Sequence, residues 1–254
     1  MTRLAPLWRR VNPPLVRVLD FGVGCLARDV TVGSAYRSCI VLSPHPDDET
    51  LGCAATIMRK LSAGTSVHVA LATDGGLSPV GCSDDKIGAL RRSEFHDACQ
   101  VLGLEDSQTH AMGFSDGSLR LAGDDLVDAV GDLVRSIGPD EIMTTSPADP
   151  HEDHSALGFA VLKALTGTPV RLLNFPVWQQ ARPRHWRLSE LSYGWPEAVR
   201  TGEFLERKRK ALAAYRSQLP VMTEDGGNSE GRLDMRFIRQ FLGSHEMFFP
   251  VARR

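Results

Sequence analysis

The sequence has no long apolar run and no large excess of charge of either sign. No stretch approaches the roughly 18 consecutive apolar residues that a membrane-spanning helix needs, so we expect no transmembrane segment. Lys and Arg together number 29 and Asp and Glu number 31, for a formal net charge of −2. A protein that binds nucleic acid commonly carries a strong excess of positive charge. This balance argues against a nucleic-acid partner.

Cysteine is also scarce, and its spacing builds neither a metal site nor a disulfide framework. The chain has five cysteines, an odd number, and no Cys-x-x-Cys pair. They are Cys25, Cys39, Cys53, Cys82 and Cys99. Wide spacing of this kind is typical of reduced thiols in a cytoplasmic protein. We therefore expect a cytoplasmic location and no zinc site made of cysteine.

The length of 254 residues suits one large α/β domain with a short extension better than two full domains. We predict an N-terminal extension over residues 1–37 and one domain over residues 38–249. Residues 15–28 are mildly amphipathic, which favours a helix docked on the domain. Contact of this helix with a partner or a membrane surface is the alternative, and homo-oligomer formation is left open.

Short apolar segments alternate with longer segments of helical periodicity. The predicted strands are 38–43, 67–73, 108–112, 141–145 and 170–175. The predicted helices between consecutive strands are 49–63, 86–102, 124–137 and 154–165. This alternation predicts a Rossmann-like α/β fold, with an open, mostly parallel sheet and helices on both faces. After Pro176 the pattern weakens to two helices, 203–215 and 235–242, around a loop at 220–231, which favours a small C-terminal cap region.

The two most polar loops, 43–49 and 146–154, follow the first and fourth predicted strands. In an open parallel sheet, ligands bind where the carboxyl ends of the strands meet a switch in strand order. We therefore expect the two loops to lie together in space and to form the functional site.

These loops carry side chains that could form a catalytic zinc site. Such a site needs three nitrogen or oxygen ligands and an open position for water. His45, Asp48 and His154 would supply the ligands. Asp47 could then take a proton from the water as general base, while His151 could stabilise the oxyanion and protonate the leaving amine.

Simpler interpretations compete with this one. Asp47, Asp48, Asp149 and Asp153 each precede or begin a predicted helix, where Asp is a preferred N-cap. A lone histidine at a strand end is commonly a surface residue. However, two His/Asp clusters at the expected binding edge, in a chain with only eight histidines, favour a metal hydrolase.

The sequence S-P-H-P-D-D-E-T-L-G-C at 43–53, followed by D-P-H-E-D-H-S-A-L-G at 149–158, resembles the PIG-L/LmbE-like N-acetylglucosaminyl deacetylase family. The family signature is an HPDDE loop after the first strand and an HxDH loop further along. A-T-D-G-G at 72–76, R-x-x-E at 91–94 and K-x-x-A-L-x-x-Y-x-S-Q-L at 208–219 fit as well, so the resemblance extends over about 38–249. It implies the same zinc ligands, the same base and the same acid as the residues themselves suggest.

The resemblance also implies substrate contacts from Arg91 and Asp116. Arg91 could instead pair with Glu94 on its own helix, and Asp116 could be a turn residue before a glycine. Trp178 follows the fifth strand, where it could stack on a sugar face or belong to the core. His245 could approach the pocket or lie in a solvated turn.

By this resemblance, the expected reaction is zinc-dependent hydrolysis of the N-acetyl (N-acyl) amide of an amino-sugar-containing small molecule or glycoconjugate, releasing acetate and a free amine. One zinc ion per chain is expected, and other divalent metals are accepted by such ligands. Two alternatives stay open. The chain could be an amidase or deacylase of a larger conjugate of the mycothiol-conjugate or glycopeptide type, or a sugar-binding protein with a degenerate site. Phosphoester hydrolysis is disfavoured, since no second metal cluster is visible in the sequence.

Overall fold

The computed structural model describes residue 18 and residues 21–77, 85–181, 186–219 and 233–252, which are built around one eight-stranded sheet. The strands are β1 (Arg28–Asp29), β2 (Cys39–Ser43), β3 (Val67–Thr73), β4 (Thr109–Phe114), β5 (Glu141–Thr145), β6 (Arg171–Phe175), β7 (Glu197–Arg200) and β8 (His245–Pro250). All five residues of β2 are buried, as expected of a parallel strand covered on both faces.

Helices connect most of these strands. They are α1 (Thr31–Ser34), α2 (Asp48–Ser62), α3 (Asp85–Leu102), α4 (Leu119–Ile137), α5 (Glu152–Ala164), α6 (Trp178–Ala181), α7 (Trp186–Glu190), α8 (Leu205–Leu212) and α9 (Met235–Phe241), with 3₁₀ turns at Asp106–Gln108 and Gly202–Phe204. Among the described helices, none combines the length and apolar character needed to cross a membrane.

The strand order explains where the site forms. It is β1-β7-β8-β6-β5-β2-β3-β4, and β8 alone runs antiparallel to its neighbours. From β2 the chain moves outward through β3 and β4, then returns to β5 on the other side of β2. The switch in strand order therefore lies between β2 and β5, and the loops after these two strands meet there.

Two hydrophobic cores lie on opposite faces of the sheet. On one face, Val41 and Val69 pack with Leu51 of α2 and Phe95 of α3. On the other face, Ile40 and Leu42 pack with side chains of α4 and α5. The predicted open, mostly parallel α/β sheet with helices on both faces is confirmed.

The five predicted strands and the helices between them agree with the structure to within one or two residues, with one larger difference at α4. The predicted helix began at 124, whereas α4 begins at Leu119 because an additional turn precedes a kink at Gly123 (φ 52°). The sequence pattern also missed β1, β7 and β8. Glu197 and Glu246 are buried in β7 and β8, and a buried charge hides the apolar alternation that predicts a strand.

The extension predicted over residues 1–37 is partly outside the described residues, as is the loop predicted at 220–231. Residues 21–25 are helical, and Val23 is buried. β1 adds to the edge of the sheet by parallel pairing with β7. Lys60 Nζ donates to the carbonyl of Arg37 (2.7 Å) and lies 2.7 Å from Glu141 Oε1, which ties the end of the extension to the core. The domain boundaries themselves stay a prediction.

Candidate metal and catalytic site

The first polar loop joins β2 to α2 and carries His45, Asp47 and Asp48, all buried. Asp48 and Glu49 occupy the first turn of α2, where the helix dipole stabilises negative charge. Asp48 Oδ2 accepts a hydrogen bond from the backbone N–H of His45 (3.1 Å). The side chain at the start of the helix thus holds the loop before it in a closed turn.

The second polar loop joins β5 to α5. Asp149 Oδ1 accepts from the backbone N–H of His151 (2.9 Å), and His151 is itself the N-cap of α5, with Nδ1 accepting from the N–H of Asp153 (3.3 Å). A neutral imidazole that accepts at Nδ1 carries its proton on Nε2. The capping role considered for Asp149 and Asp153 in α5 is therefore taken by His151, and its Nε2–H is left as a donor.

Three atoms from the two loops form a tight triangle. His45 Nδ1 lies 3.2 Å from His154 Nε2 and 3.4 Å from Asp48 Oδ2, and His154 Nε2 lies 3.2 Å from the same carboxylate oxygen. Tetrahedral zinc with bonds of 2.0–2.1 Å to nitrogen and oxygen requires ligand atoms about 3.3–3.4 Å apart. The donor types and their spacing both fit such an ion.

The outer nitrogens of both histidines face carboxylates. His45 Nε2 lies 3.0 Å from Asp116 Oδ1 and 3.2 Å from Asp153 Oδ2, and His154 Nδ1 lies 3.5 Å from Asp149 Oδ2. A carboxylate behind a ligating imidazole fixes the orientation of the ring and makes it a stronger ligand. Asp153 is in turn held by the backbone N–H groups of Gly117 (2.7 Å) and Leu119 (3.0 Å).

This charge distribution favours a cation. Burial lowers the pKa of His45, but hydrogen bonds to Asp116, Asp153 and Asp48 outweigh it and hold that pKa well above its ordinary value. Burial likewise opposes the charges of Asp48 and Asp149 at His154, and the balance raises the pKa of His154 to about 9. Metal binding displaces protons from such ligands, so a divalent cation can supply the positive charge that the carboxylates stabilise.

Asp47 is held beside the triangle by Arg91. Arg91 Nη2 donates to Asp47 Oδ2 (3.3 Å) and to the carbonyl of Pro46 (2.8 Å), and Nη1 donates to the carbonyl of Gly75 (3.0 Å). Burial raises the pKa of Asp47 to about 8; the charge of Arg91 opposes this, while those of Asp48 and Glu49 add to it. A carboxylate with proton affinity near neutrality suits a group that accepts a proton during a reaction.

A cavity of about 270 Å³ opens onto these side chains. Its polar lining includes His45, Asp47, Asp48, Arg91, Asp116, His151 and Gln218, and its apolar lining includes Leu51, Leu77, Val177, Trp178, Leu233 and Phe237. A largely apolar cavity with a few convergent polar groups is the usual form of a small-molecule site.

Comparisons with known proteins show to which family the chain belongs. The family model for PIG-L, described as GlcNAc-PI de-N-acetylase, matches residues 40–165. A probable N-acetyl-alpha-D-glucosaminyl L-malate deacetylase 2 of Bacillus cereus is 32% identical over 197 residues, which cover 74% of this chain and 87% of that protein. The chain belongs to the PIG-L/LmbE-like deacetylase family. The resemblance seen in its motifs is thus confirmed.

Solved structures extend the likeness of this PIG-L/LmbE-like chain to its fold. The N,N'-diacetylchitobiose deacetylase of Pyrococcus horikoshii matches with a TM-score of 0.64 at 18% identity, covering 99% of this chain and 94% of that one. The 4-carboxy-2-hydroxymuconate hydratase of Pseudomonas putida matches with a TM-score of 0.65 at 16% identity, covering 86% and 97%. A hydratase with this fold shows that the reaction must be argued from the site.

The structure brings the predicted ligand, base and acid residues of the two family motifs together: His45, Asp47, Asp48 and His151 line one cavity, and the fully buried His154 lies 3.2 Å from both His45 and Asp48. Arg91 lies behind Asp47 and does not pair with Glu94, whose carboxylate accepts from Ser217 Oγ (2.6 Å) instead. Asp116 lines the cavity and contacts His45, so it is more than a turn residue. Substrate contact by Arg91 and Asp116 stays a prediction.

Trp178 lines the cavity, with Phe237 stacked on its ring at 4.8 Å between centroids. At most one face of the indole is therefore open to a sugar. His245 is exposed at the start of β8 and lines a separate depression with Lys208 and Glu246. Sequence reasoning missed Phe237, Leu233 and Gln218 as cavity residues. An apolar side chain such as Phe237 is expected only to be buried, and the motif at 208–219 gave no role to Gln218.

Proposed function

We propose that this protein is a zinc-dependent N-deacetylase that hydrolyses the N-acetyl amide of an amino-sugar-containing substrate to acetate and a free amine. The observation that carries the proposal is the triangle of His45 Nδ1, Asp48 Oδ2 and His154 Nε2, with sides of 3.2–3.4 Å, beside a cavity that His45 and Asp48 line. Zinc bound by these atoms would polarise the amide carbonyl and lower the pKa of a water molecule.

Asp47 is assigned as the general base. Its carboxylate lines the cavity next to Asp48, and Arg91 fixes its direction through a contact of 3.3 Å. Asp47 is not part of the ligand triangle, so one proton can move from the attacking water to its carboxylate without the loss of a ligand. The bond that then forms joins the water oxygen to the carbonyl carbon.

His151 is assigned as the residue that stabilises the oxyanion and acts as general acid. Its Nδ1 accepts from the Asp153 N–H, so Nε2 carries the proton that can be donated. Its ring centroid lies 4.8 Å from those of both His45 and His154, which places it beside the predicted ligands. His151 can hydrogen-bond to the developing oxyanion and then protonate the leaving nitrogen as the C–N bond breaks.

The experiment that tests this proposal is amine release from a panel of N-acetylated substrates. Zinc-loaded and chelator-treated protein would be compared on N-acetylglucosamine, N-acetylated disaccharides and N-acetylated aminoglycosides, with free amine and acetate measured together. We expect equal amounts of both products from at least one substrate, with zinc only. If zinc-loaded protein releases neither product from any member, the proposal is wrong.

The apolar wall supports a second candidate, hydrolysis of a larger N-acyl group or conjugate at the same centre. Val177, Trp178, Leu233 and Phe237 line the cavity together, which is more apolar surface than one acetyl methyl group covers. A chain-length series on one amino sugar separates the two candidates. A rate that falls from acetyl to butanoyl to hexanoyl favours the deacetylase, and a rate that rises favours the deacylase.

Two further proposals concern the cellular location of the enzyme and the class of its substrate. Cys25, Cys39, Cys53 and Cys99 are unpaired thiols, which supports the expected cytoplasmic location. A small molecule or glycoconjugate with an N-acyl amino sugar is the proposed substrate.

A further inference from the structure

Asp47 has an unusual backbone conformation. Among the described residues it is the only non-glycine residue with positive φ, at 113° with ψ of −30°. The left-handed region is unfavourable for residues with a Cβ atom, and such conformations persist only where the surroundings enforce them. The surroundings of Asp47 must therefore contain the groups that hold it.

The positive φ of Asp47 explains how the carboxylates of two adjacent residues can reach the same cavity. Neighbouring residues at the start of a helix point about 100° apart around its axis, since a turn contains 3.6 residues. Asp47 and Asp48 nevertheless both line the same cavity. The left-handed backbone at Asp47 turns its carboxylate toward Arg91 and the cavity, while Asp48 keeps its place in the ligand triangle.

Glu49 contacts the strained residue directly. Its Oε2 accepts a hydrogen bond from the backbone N–H of Asp47 (3.3 Å), and its Oε1 accepts from the hydroxyls of Thr50 and Tyr215. Glu49 is fully buried, and in the part of the chain that the structure describes it forms no ion pair. A buried carboxyl without a counter-charge is costly, so its hydrogen bonds must hold it in place.

Tyr215, the distant hydrogen-bond partner of Glu49, follows a helix that is itself bound to α2. It lies 166 positions from Glu49, just after α8, and only 1% of its surface is exposed. The same helix carries Lys208, whose Nζ donates to the carbonyl of Leu51 in α2 (2.7 Å). α8 is therefore anchored to α2 at Leu51, two residues after Glu49, with which Tyr215 forms its hydrogen bond.

We propose that Glu49 and Tyr215 are positioning residues, which hold the backbone of Asp47 in its left-handed conformation and thereby aim the base at the reacting water. This inference rests on the proposed function of Asp47. It also assigns a role to two residues of the K-x-x-A-L-x-x-Y motif. Lys208 binds α8 to α2, and Tyr215 donates its hydroxyl hydrogen bond to Glu49. The interaction needs hydrogen bonds rather than a charge on Glu49.

Tyr215→Phe tests the inference, because it removes one hydroxyl and no other atom. We expect kcat to fall about tenfold, the effect of one buried hydrogen bond, with KM and zinc content unchanged. Tyr36→Phe is the matched control: Tyr36 is 71% exposed, and its replacement should leave kcat unchanged. Glu49→Gln should keep most of the activity, since an amide can still accept from the Asp47 N–H and bond to Tyr215.

A double-mutant comparison separates positioning from a general structural role. If Tyr215 acts through the base, Tyr215→Phe should change the residual rate of Asp47→Ala less than twofold. Equal losses in the two backgrounds would overturn the inference, and so would an unchanged kcat in Tyr215→Phe while Asp47→Ala is inactive.

A crystal structure of zinc-loaded Tyr215→Phe gives a readout that does not depend on activity. We expect φ of Asp47 to leave the left-handed region, and a φ that stays near its original value contradicts the inference. If the wild-type protein hydrolyses no substrate of the panel, the proposed function fails, and this structure still decides whether Tyr215 holds the backbone of Asp47.

Discussion

His45 Nδ1 lies 3.2 Å from His154 Nε2, although 109 positions separate the two residues in the sequence. The strands before them explain the distance: β2 and β5 are adjacent and parallel, with Val41 opposite Met143, so both loops begin at one edge of the sheet. The pairing of two strands thus places the two imidazoles, and the donor triangle depends on both loops.

His154→Ala should abolish zinc binding, whereas Asp47→Ala should leave the zinc content unchanged. His154 is fully buried and supplies one corner of the triangle, so its loss should abolish stoichiometric binding. Asp47 lies outside the triangle, so Asp47→Ala should keep one zinc per chain and lose activity by about a hundredfold or more, as expected for a general base. Metal analysis after dialysis, with amine release on the same samples, checks both. Near-normal turnover of Asp47→Ala would show that the base is assigned wrongly.

The buried ion pair of Lys208 and Glu246 should matter greatly for stability. Lys208 Nζ lies 2.7 Å from Glu246 Oε1, and that carboxylate also accepts from the backbone N–H groups of Ala55 and Thr56 (both 2.8 Å). Lys208→Met leaves a buried charge without a partner, which should cost about 3–5 kcal/mol in urea unfolding. The double variant Lys208→Met/Glu246→Gln should cost less than Lys208→Met alone. The exposed Lys163, paired with Asp124, provides the control, and Lys163→Met should change little.

Glu190 should make the protein less stable as pH rises from about 4.5 to 7. Burial raises the pKa of this carboxyl from 4.5 to about 7, against hydrogen bonds from Ser146 and Gln179 that lower it. Between these values the folded state binds a proton that the unfolded state releases, so the free energy of unfolding falls as pH rises, by about 3 kcal/mol at most.

Glu190→Gln should remove this fall, since the amide keeps the acceptor and does not ionise. Urea unfolding at pH 5 and pH 8 measures it, with the exposed Glu203→Gln as control. Parallel pH curves for wild type and Glu190→Gln would contradict the assignment.

Strain at Asp47 should appear as a difference between two replacements of that residue. Its φ of 113° disfavours any residue with a Cβ atom, whereas glycine adopts positive φ freely. Asp47→Gly should therefore be more stable than Asp47→Ala by about 1 kcal/mol, because both lose the carboxylate and only alanine keeps the strain. Chemical denaturation of both zinc-free proteins makes the comparison. An alanine variant as stable as the glycine variant would show that the backbone relaxes without cost.

Much of the fold could be predicted because local patterns and tertiary packing agree there. The strand at β2 is a short apolar run, and the helices after it show the periodicity of a buried face. β7 and β8 could not be predicted, because Glu197 and Glu246 are stabilised by partners distant in sequence, Arg171 and Lys208. A pattern method scores such residues as polar, whereas the tertiary structure buries them.

The candidate site divides in the same way. His45, Asp47, Asp48, His151 and His154 stand in two short motifs, so the sequence by itself determined which side chains are available for the chemistry and which strand ends carry them. Only the tertiary structure decided what surrounds them. Asp153 behind His45, Phe237 on Trp178 and Tyr215 behind Glu49 are contacts between elements far apart in the chain. Local propensity does not encode such contacts, because they arise only when the sheet order and the docking of the C-terminal helices bring those elements together.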